Sequence, residues 1–183
     1  MGATIVEKVA TSHMTSGPDR PLRPGDMVRL RPCHVLTHDN SAPVMKKFHA
    51  LGATPVRDRS QPVFVLDHDV QNTSVENLDK YGAIRAFAVD QGIDFYGARC
   101  GIGHQIIVDR GYALPGSLVV ASDSHANMYG AMGALGTPVV RTDAAAIWAM
   151  GEFWWQIPRT VEVVLEGELR APASGKEIGR AHV

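Results

Sequence analysis

Four short polar clusters hold most of the histidine and carboxylate groups that could do chemistry together. They are Thr37-His38-Asp39-Asn40-Ser41, Asp67-His68-Asp69, Gly103-His104-Gln105 and Asp123-Ser124-His125. Histidine titrates near neutral pH, so it can move protons or, when cationic, hold a carboxylate. An aspartate beside it can fix its tautomer and raise its pKa. Such groups suit proton transfer on a small polycarboxylate. His and Asp are also common metal ligands, which leaves a mononuclear metal site as a second reading. No cluster has the tight H-E-x-x-H spacing, so spacing does not favour that reading. The bland alternative is structural: an Asp-His pair can be a turn, and Asn40 or Ser41 a helix cap.

The elements around these clusters decide between chemistry and capping. Residues 27–30 (MVRL) predict a strand. Val44, Phe48 and Leu51 recur at helical spacing, which predicts a helix over 41–51 with Gly52 as its stop. The apolar run 63–66 (VFVL) predicts a strand buried on both faces. Ser74 is a good N-cap for a helix reaching Gly92. Residues 94–96 predict a short strand, 104–110 a short helix, and 117–121 (SLVVA) a further strand. Thr142 is placed as the cap of a helix through Trp148, and residues 160–165 alternate as in a late strand.

Strands alternating with helices predict an α/β fold with a mainly parallel sheet. In such sheets ligands bind beyond the carboxyl ends of the strands. Three predicted strand ends each lead into a histidine, at His68, His104 and His125. Gly130 and Gly136 bound a glycine-rich stretch without the lysine of a phosphate loop, so close backbone packing is expected there. Phe153-Trp154-Trp155 is read either as a pocket wall or as packing against a neighbouring domain.

Composition sets wider bounds. The chain has 183 residues, 45% hydrophobic and 20% charged, enough for about one domain. A formal net charge of -1 gives no reason to expect nucleic acid or an acidic membrane surface as partner. No apolar run approaches the roughly 20 residues of a membrane span. The opening MGATIVEKVATSHM resembles neither a signal nor a transit peptide, so a cytoplasmic setting is the default expectation. Cys33 and Cys100 form no CxxC pair and suggest neither a disulfide scaffold nor a complete metal site.

Read in order, the clusters resemble the aconitase family. The matching segments are THDNSAPV at 37–44, VFVLDHDVQN at 63–72, GIGHQIIVDRGYALPGSLVVASDSHANMYGAMGALGT at 101–137 and RTDAAAIWAMGEFWWQIP at 141–158. The resemblance spans residues 3–176 and is strongest to the homoaconitase and 3-isopropylmalate dehydratase branches. It implies a three-layer α/β/α domain lining a cleft that holds a [4Fe-4S] cluster, one iron of which acts as a Lewis acid. It implies a hydro-lyase that removes water from a 2-hydroxy acid and restores it at the neighbouring carbon.

By motif, Asp67 and His68 match the family's Asp-His pair and His104 the histidine of its G-I-x-H-Q segment. Asp123 and His125 match the outer members of D-S-H. Ser124, its middle member, and His38 match substrate-side positions. The resemblance gives His104, oriented by Asp123, the task of helping to protonate the leaving hydroxyl, with Asp67 and His68 in support.

The family's three cluster cysteines belong to later motifs absent here, and its serine base to a swivelling domain or small subunit. The expectation is therefore a partial N-terminal domain over 1–176 that is inactive alone and ligates no cluster. Residues 177–183 (EIGRAHV) resemble a translated sequencing adapter and are expected to be a non-native tail, so His182 is not counted as a ligand. The large subunit of 3-isopropylmalate dehydratase is the first expectation, with homoaconitase or aconitase as the alternative. A non-catalytic carboxylate-binding module and a mononuclear metal hydrolase remain as readings of other classes.

Overall fold

The structure is a computed structural model that describes residues 2–175. Its central sheet follows from three short runs of apolar residues whose side chains alternate between two cores. These are β3 (His34–Thr37), β4 (Pro62–Val65) and β6 (Leu118–Ala121). Val35, Phe64, Leu118 and Val120 enter one core; Leu36, Val63, Val65, Val119 and Ala121 enter the other. Successive strand residues face opposite sides, so a strand apolar at every position must be covered twice.

The first cover comes from α2 (Ser41–Ala50), α3 (Val75–Gln91) and α5 (Arg141–Met150). Their Phe87 and Trp148 meet Phe64 of β4, with Trp148 and Phe64 ring centroids 4.9 Å apart, and Phe48 packs on Phe87 and Trp148. A pair at this distance adds about 0.5–1.5 kcal/mol beyond the area it buries. The second cover comes from α4 (Gly103–Asp109) and a 3-10 helical stretch, Ala126–Met132, through Ile106, Ile107 and Tyr129. The result is the expected three-layer α/β/α arrangement.

With β5 (Asp94–Tyr96) and β7 (Leu135–Pro138), the sheet has five strands in the order β5-β4-β3-β6-β7, all parallel. The chain builds outward from β3 to β5, then crosses back over β3 to place β6 and β7 on its other side. The strand order reverses between β3 and β6, which opens a crevice at their carboxyl ends.

Local signals fix the long helix: the Ser74 hydroxyl accepts the Asn77 N–H, and Gly92 closes the helix at φ +67°. Gly136 in β7 is required by close approach, because a Cβ there would run into the Ala126 carbonyl. The expected glycine packing thus occurs at this position.

A smaller antiparallel sheet joins β1 (Met14–Ser16), β2 (Met27–Leu30) and β8 (Phe153–Gln156) beyond α1 (Ile5–Ser12). The predicted strand at 27–30 therefore lies outside the parallel sheet. Phe153-Trp154-Trp155 is a strand paired to β2: Phe153 is buried in the core, and Trp154 is exposed under the Arg29 guanidinium.

Two further expectations are corrected. Thr142 lies inside the first turn of α5, whose N-cap is Val140 with no side-chain cap. Residues 160–165 form no strand: Val161, Val163 and Leu165 are exposed, and none of the described strands pairs with them. Alternation alone does not make a strand without an edge to join. The expectation for 177–183 lies outside the described residues. Among the described residues no helix is long and apolar enough to cross a membrane.

Candidate active site

The polar clusters gather at the carboxyl ends of the parallel strands. The turn after β3 carries His38 and Asp39, the turn after β4 carries Asp67 and His68, and the turn after β6 carries Asp123 to His125. His104 arrives from the first turn of α4. Asn40 stitches the crevice between β3 and β6: its amide donates to the Ser122 carbonyl at 2.6 Å, and its oxygen accepts the His38 N–H. Asn40 occupies the cap position of α2 without capping it. Ser41 instead bonds back to the His38 carbonyl and to Thr37.

Asp39, which sequence reasoning did not single out, organises the neighbouring turn. One oxygen accepts the N–H groups of Asp67 and His68 at 3.0 and 2.9 Å; the other accepts from the Asp69 N–H at 3.2 Å and from the Tyr81 hydroxyl. Burial pushes its pKa up, but the Tyr81 hydroxyl and the three backbone donors outweigh this and hold it below the ordinary value.

The turn thus fixed presents Asp67 and His68. Asp67, almost fully buried, accepts His68 Nδ1–H at 2.6 Å through one oxygen and the Gly103 N–H at 2.6 Å through the other. The carboxylate sets the proton on Nδ1 and leaves Nε2 free. His68 is half exposed, and its Nε2 lies 3.7 Å from Asp123 Oδ2. The His38 ring stacks on it with centroids 3.8 Å apart. Burial, and then the nearby His68 ring, lower the pKa of His38, so it is neutral near pH 7.

Asp123 is the meeting point. Its Oδ1 lies 2.8 Å from His104 Nε2, 2.8 Å from the His125 N–H and 3.1 Å from His125 Nδ1. Burial raises its pKa, but the His125 backbone donor and the His104 and His125 side chains prevail and hold it at about 2. His104 is largely enclosed, and both of its nitrogens are engaged, Nε2 with Asp123 and Nδ1 with the Tyr129 hydroxyl at 2.8 Å. His125 and Ser124 stand exposed beside them.

All seven sequence-predicted residues therefore lie at one end of the sheet, and two carboxylate–imidazole pairs, Asp67–His68 and Asp123–His104, meet there. Tyr129, just before the glycine-rich stretch, went unremarked. A single aromatic hydroxyl among small residues was the signal available.

A cleft of about 740 Å³ opens beside them, bordered by His38, Asn40, Asp123 and Ser124, by Lys47, and by the start of α5 from Val140 to Asp143. Uncapped N–H groups and the cations Lys47 and Arg141 favour an anionic guest. Two sets of side chains, His38/Asp39/Asp67/His68 and His104/Asp123/His125, are compact enough to hold a metal ion. Most of their ligand atoms already serve one another or backbone donors, which an ion would have to displace.

The two cysteines do not fit an iron–sulfur cluster. Cys33 lies at the amino end of the sheet, its N–H on the Leu118 carbonyl, while Cys100 follows β5 at the opposite end. A cluster of this kind needs several thiolates at one place.

The profile of the aconitase family (aconitate hydratase) matches residues 7–179. The chain is 54% identical over 175 residues to "Homoaconitase, mitochondrial" of Mycosarcoma maydis, covering 95% of this chain and 24% of that protein. It is 57% identical over 177 residues to the protein of the same name from Eremothecium gossypii, covering 96% of this chain and 26% of that one. The chain thus spans about a quarter of the length of the curated relatives it matches. These relatives carry the homoaconitase name, the alternative expectation, rather than that of 3-isopropylmalate dehydratase; they are also named mitochondrial, where the default expectation was the cytoplasm. With a family match across nearly all of its residues, the chain belongs to the aconitase family.

Proposed function

We propose that this chain is the proton-handling and substrate-side part of a homoaconitase-type hydro-lyase, which isomerises a 2-hydroxy tricarboxylic acid by removing and restoring water. The observation that carries the reading is the approach of the Asp67–His68 and Asp123–His104 pairs to 3.7 Å at the strand ends. The homoaconitase name of the relatives supports the substrate class.

In this reading Asp67 holds the proton on His68 Nδ1, so that Nε2 accepts and delivers the mobile proton. The ionised Asp123 stabilises the imidazolium that His68 becomes; His104, to which the family resemblance gave the proton transfer, has both ring nitrogens engaged and instead holds Asp123 in place with His125. A positioned acid of this kind contributes about 10²–10⁴-fold to a rate. His38, neutral and stacked on His68, and Ser124 contact the substrate. Lys47, Arg141 and the first turn of α5 draw its carboxylates into the cleft.

We propose further that residues 1–176 are one part of a longer enzyme. The [4Fe-4S] cluster, which would supply the Lewis acid at the hydroxyl, and the serine base come from its other parts. The test is the full-length protein carrying this chain, supplied in turn with homocitrate, citrate and 3-isopropylmalate. Ultraviolet absorbance of the unsaturated acid is the readout. Fastest formation from homocitrate is expected; no unsaturated acid from any of the three overturns the reading.

A further inference from the structure

Tyr129 is fully buried, and its hydroxyl lies 2.8 Å from His104 Nδ1, its one hydrogen-bond partner among the described residues. The other ring nitrogen lies 2.8 Å from Asp123 Oδ1. An ionised carboxylate can only accept a hydrogen bond, and a neutral imidazole has a single N–H. Nε2 must therefore carry the proton. The opposite tautomer would set the Nε2 lone pair against those of the carboxylate.

In the neutral ring Nδ1 is then an acceptor, and the phenol is its donor. Burial, followed by the charges of Asp123 and Asp67, pushes the Tyr129 pKa up, so the phenol keeps its proton. The ring lies between one group that only donates to it and one that only accepts from it, so its two ends are not interchangeable.

We propose that Tyr129 is a positioning residue that fixes His104 as the Nε2–H tautomer and directs that proton onto Asp123. The inference rests on the proposed function only for its catalytic meaning; the tautomer itself is a property of the chain. A packing role for the buried ring is the competing explanation, and Tyr129→Phe separates the two, since it keeps the ring and removes only the donor.

The experiment is a long-range proton–nitrogen correlation spectrum of the 183-residue chain labelled with ¹⁵N-histidine, near neutral pH. The His104 signals are identified by their loss in His104→Gln. The parent chain is expected to show Nε2 protonated and Nδ1 unprotonated, with Nδ1 shifted upfield by the hydrogen bond it accepts. Tyr129→Phe should move Nδ1 downfield, towards a bare nitrogen, or bring both signals towards a tautomeric average. A protonated Nδ1 in the parent chain overturns the inference by itself, even if the variant does not fold. Unchanged His104 nitrogen shifts in a folded Tyr129→Phe chain also overturn it. Neither result depends on turnover or a cluster, so failure here is distinguishable from failure of the proposed function.

Discussion

Asp39→Ala should destabilise the chain by more than any loss of a surface charge, because one carboxylate organises the whole turn that carries Asp67 and His68. It accepts from three consecutive backbone N–H groups and from the Tyr81 hydroxyl. Hydrogen bonds to a charged group are each worth about 1.5–3 kcal/mol, but removing the side chain lets water reach several of these donors, so we expect a total of about 3 kcal/mol. Asp39→Asn keeps acceptor oxygen but no charge and should cost roughly half as much. In urea, with a slope of about 2 kcal/mol per molar, the alanine variant should unfold about 1.5 M earlier. Tryptophan fluorescence of the 183-residue chain reports the transition.

The pH dependence supplies a second check. The folded-state pKa of Asp39 is depressed, so its contribution is complete above the ordinary carboxylate pKa and fades as pH falls through the folded value. The gap between parent and alanine variant should therefore narrow in acid. A gap under about 0.5 kcal/mol at neutral pH, the size of an ordinary surface substitution, would refute the reasoning.

Two other predictions concern Asp123 at the site and the packing of β7. Asp123 titrates at about 2 instead of 3.8. That depression corresponds to about 2 kcal/mol, which solvent screening in an open cleft reduces to about 1 kcal/mol. Because the folded pKa is the lower one, this stability is present above pH 3.8 and is lost as pH falls towards 2. Urea midpoints of the parent chain and Asp123→Asn across acid pH should converge in that window. Gly136→Ala sets a methyl group against the Ala126 carbonyl and should cost about 1–3 kcal/mol, seen as an earlier thermal midpoint.

Helices were legible where their ends carried local chemistry, as at Ser74 and Gly92, because capping needs only neighbours in sequence. The apolar runs of β4 and β6 stood out for the same reason. The central strand β3 did not: Val35 and Leu36 are only two apolar residues between polar ones, and their burial depends on strand partners 27 and 85 positions away. Conversely, residues 160–165 alternate correctly yet lie exposed, since alternation cannot supply a partner edge. At the site, the histidines and their adjacent aspartates were legible because chemistry and sequence proximity coincide there. The reach of Asp39 to the 67–69 turn and to Tyr81, and that of Tyr129 to His104, was not, because each acts across a long sequence gap on a group that only the fold brings near.

In the proposed function His68 and Asp123 act as one unit across 3.7 Å. The direct test is a double-mutant cycle on kcat/KM for homocitrate in the full-length enzyme, with His68→Ala, Asp123→Ala and the pair. Residues that act together lose their contribution once, so the double variant should be little slower than the worse single one. Losses that simply multiply, or singles as fast as the parent, would contradict it.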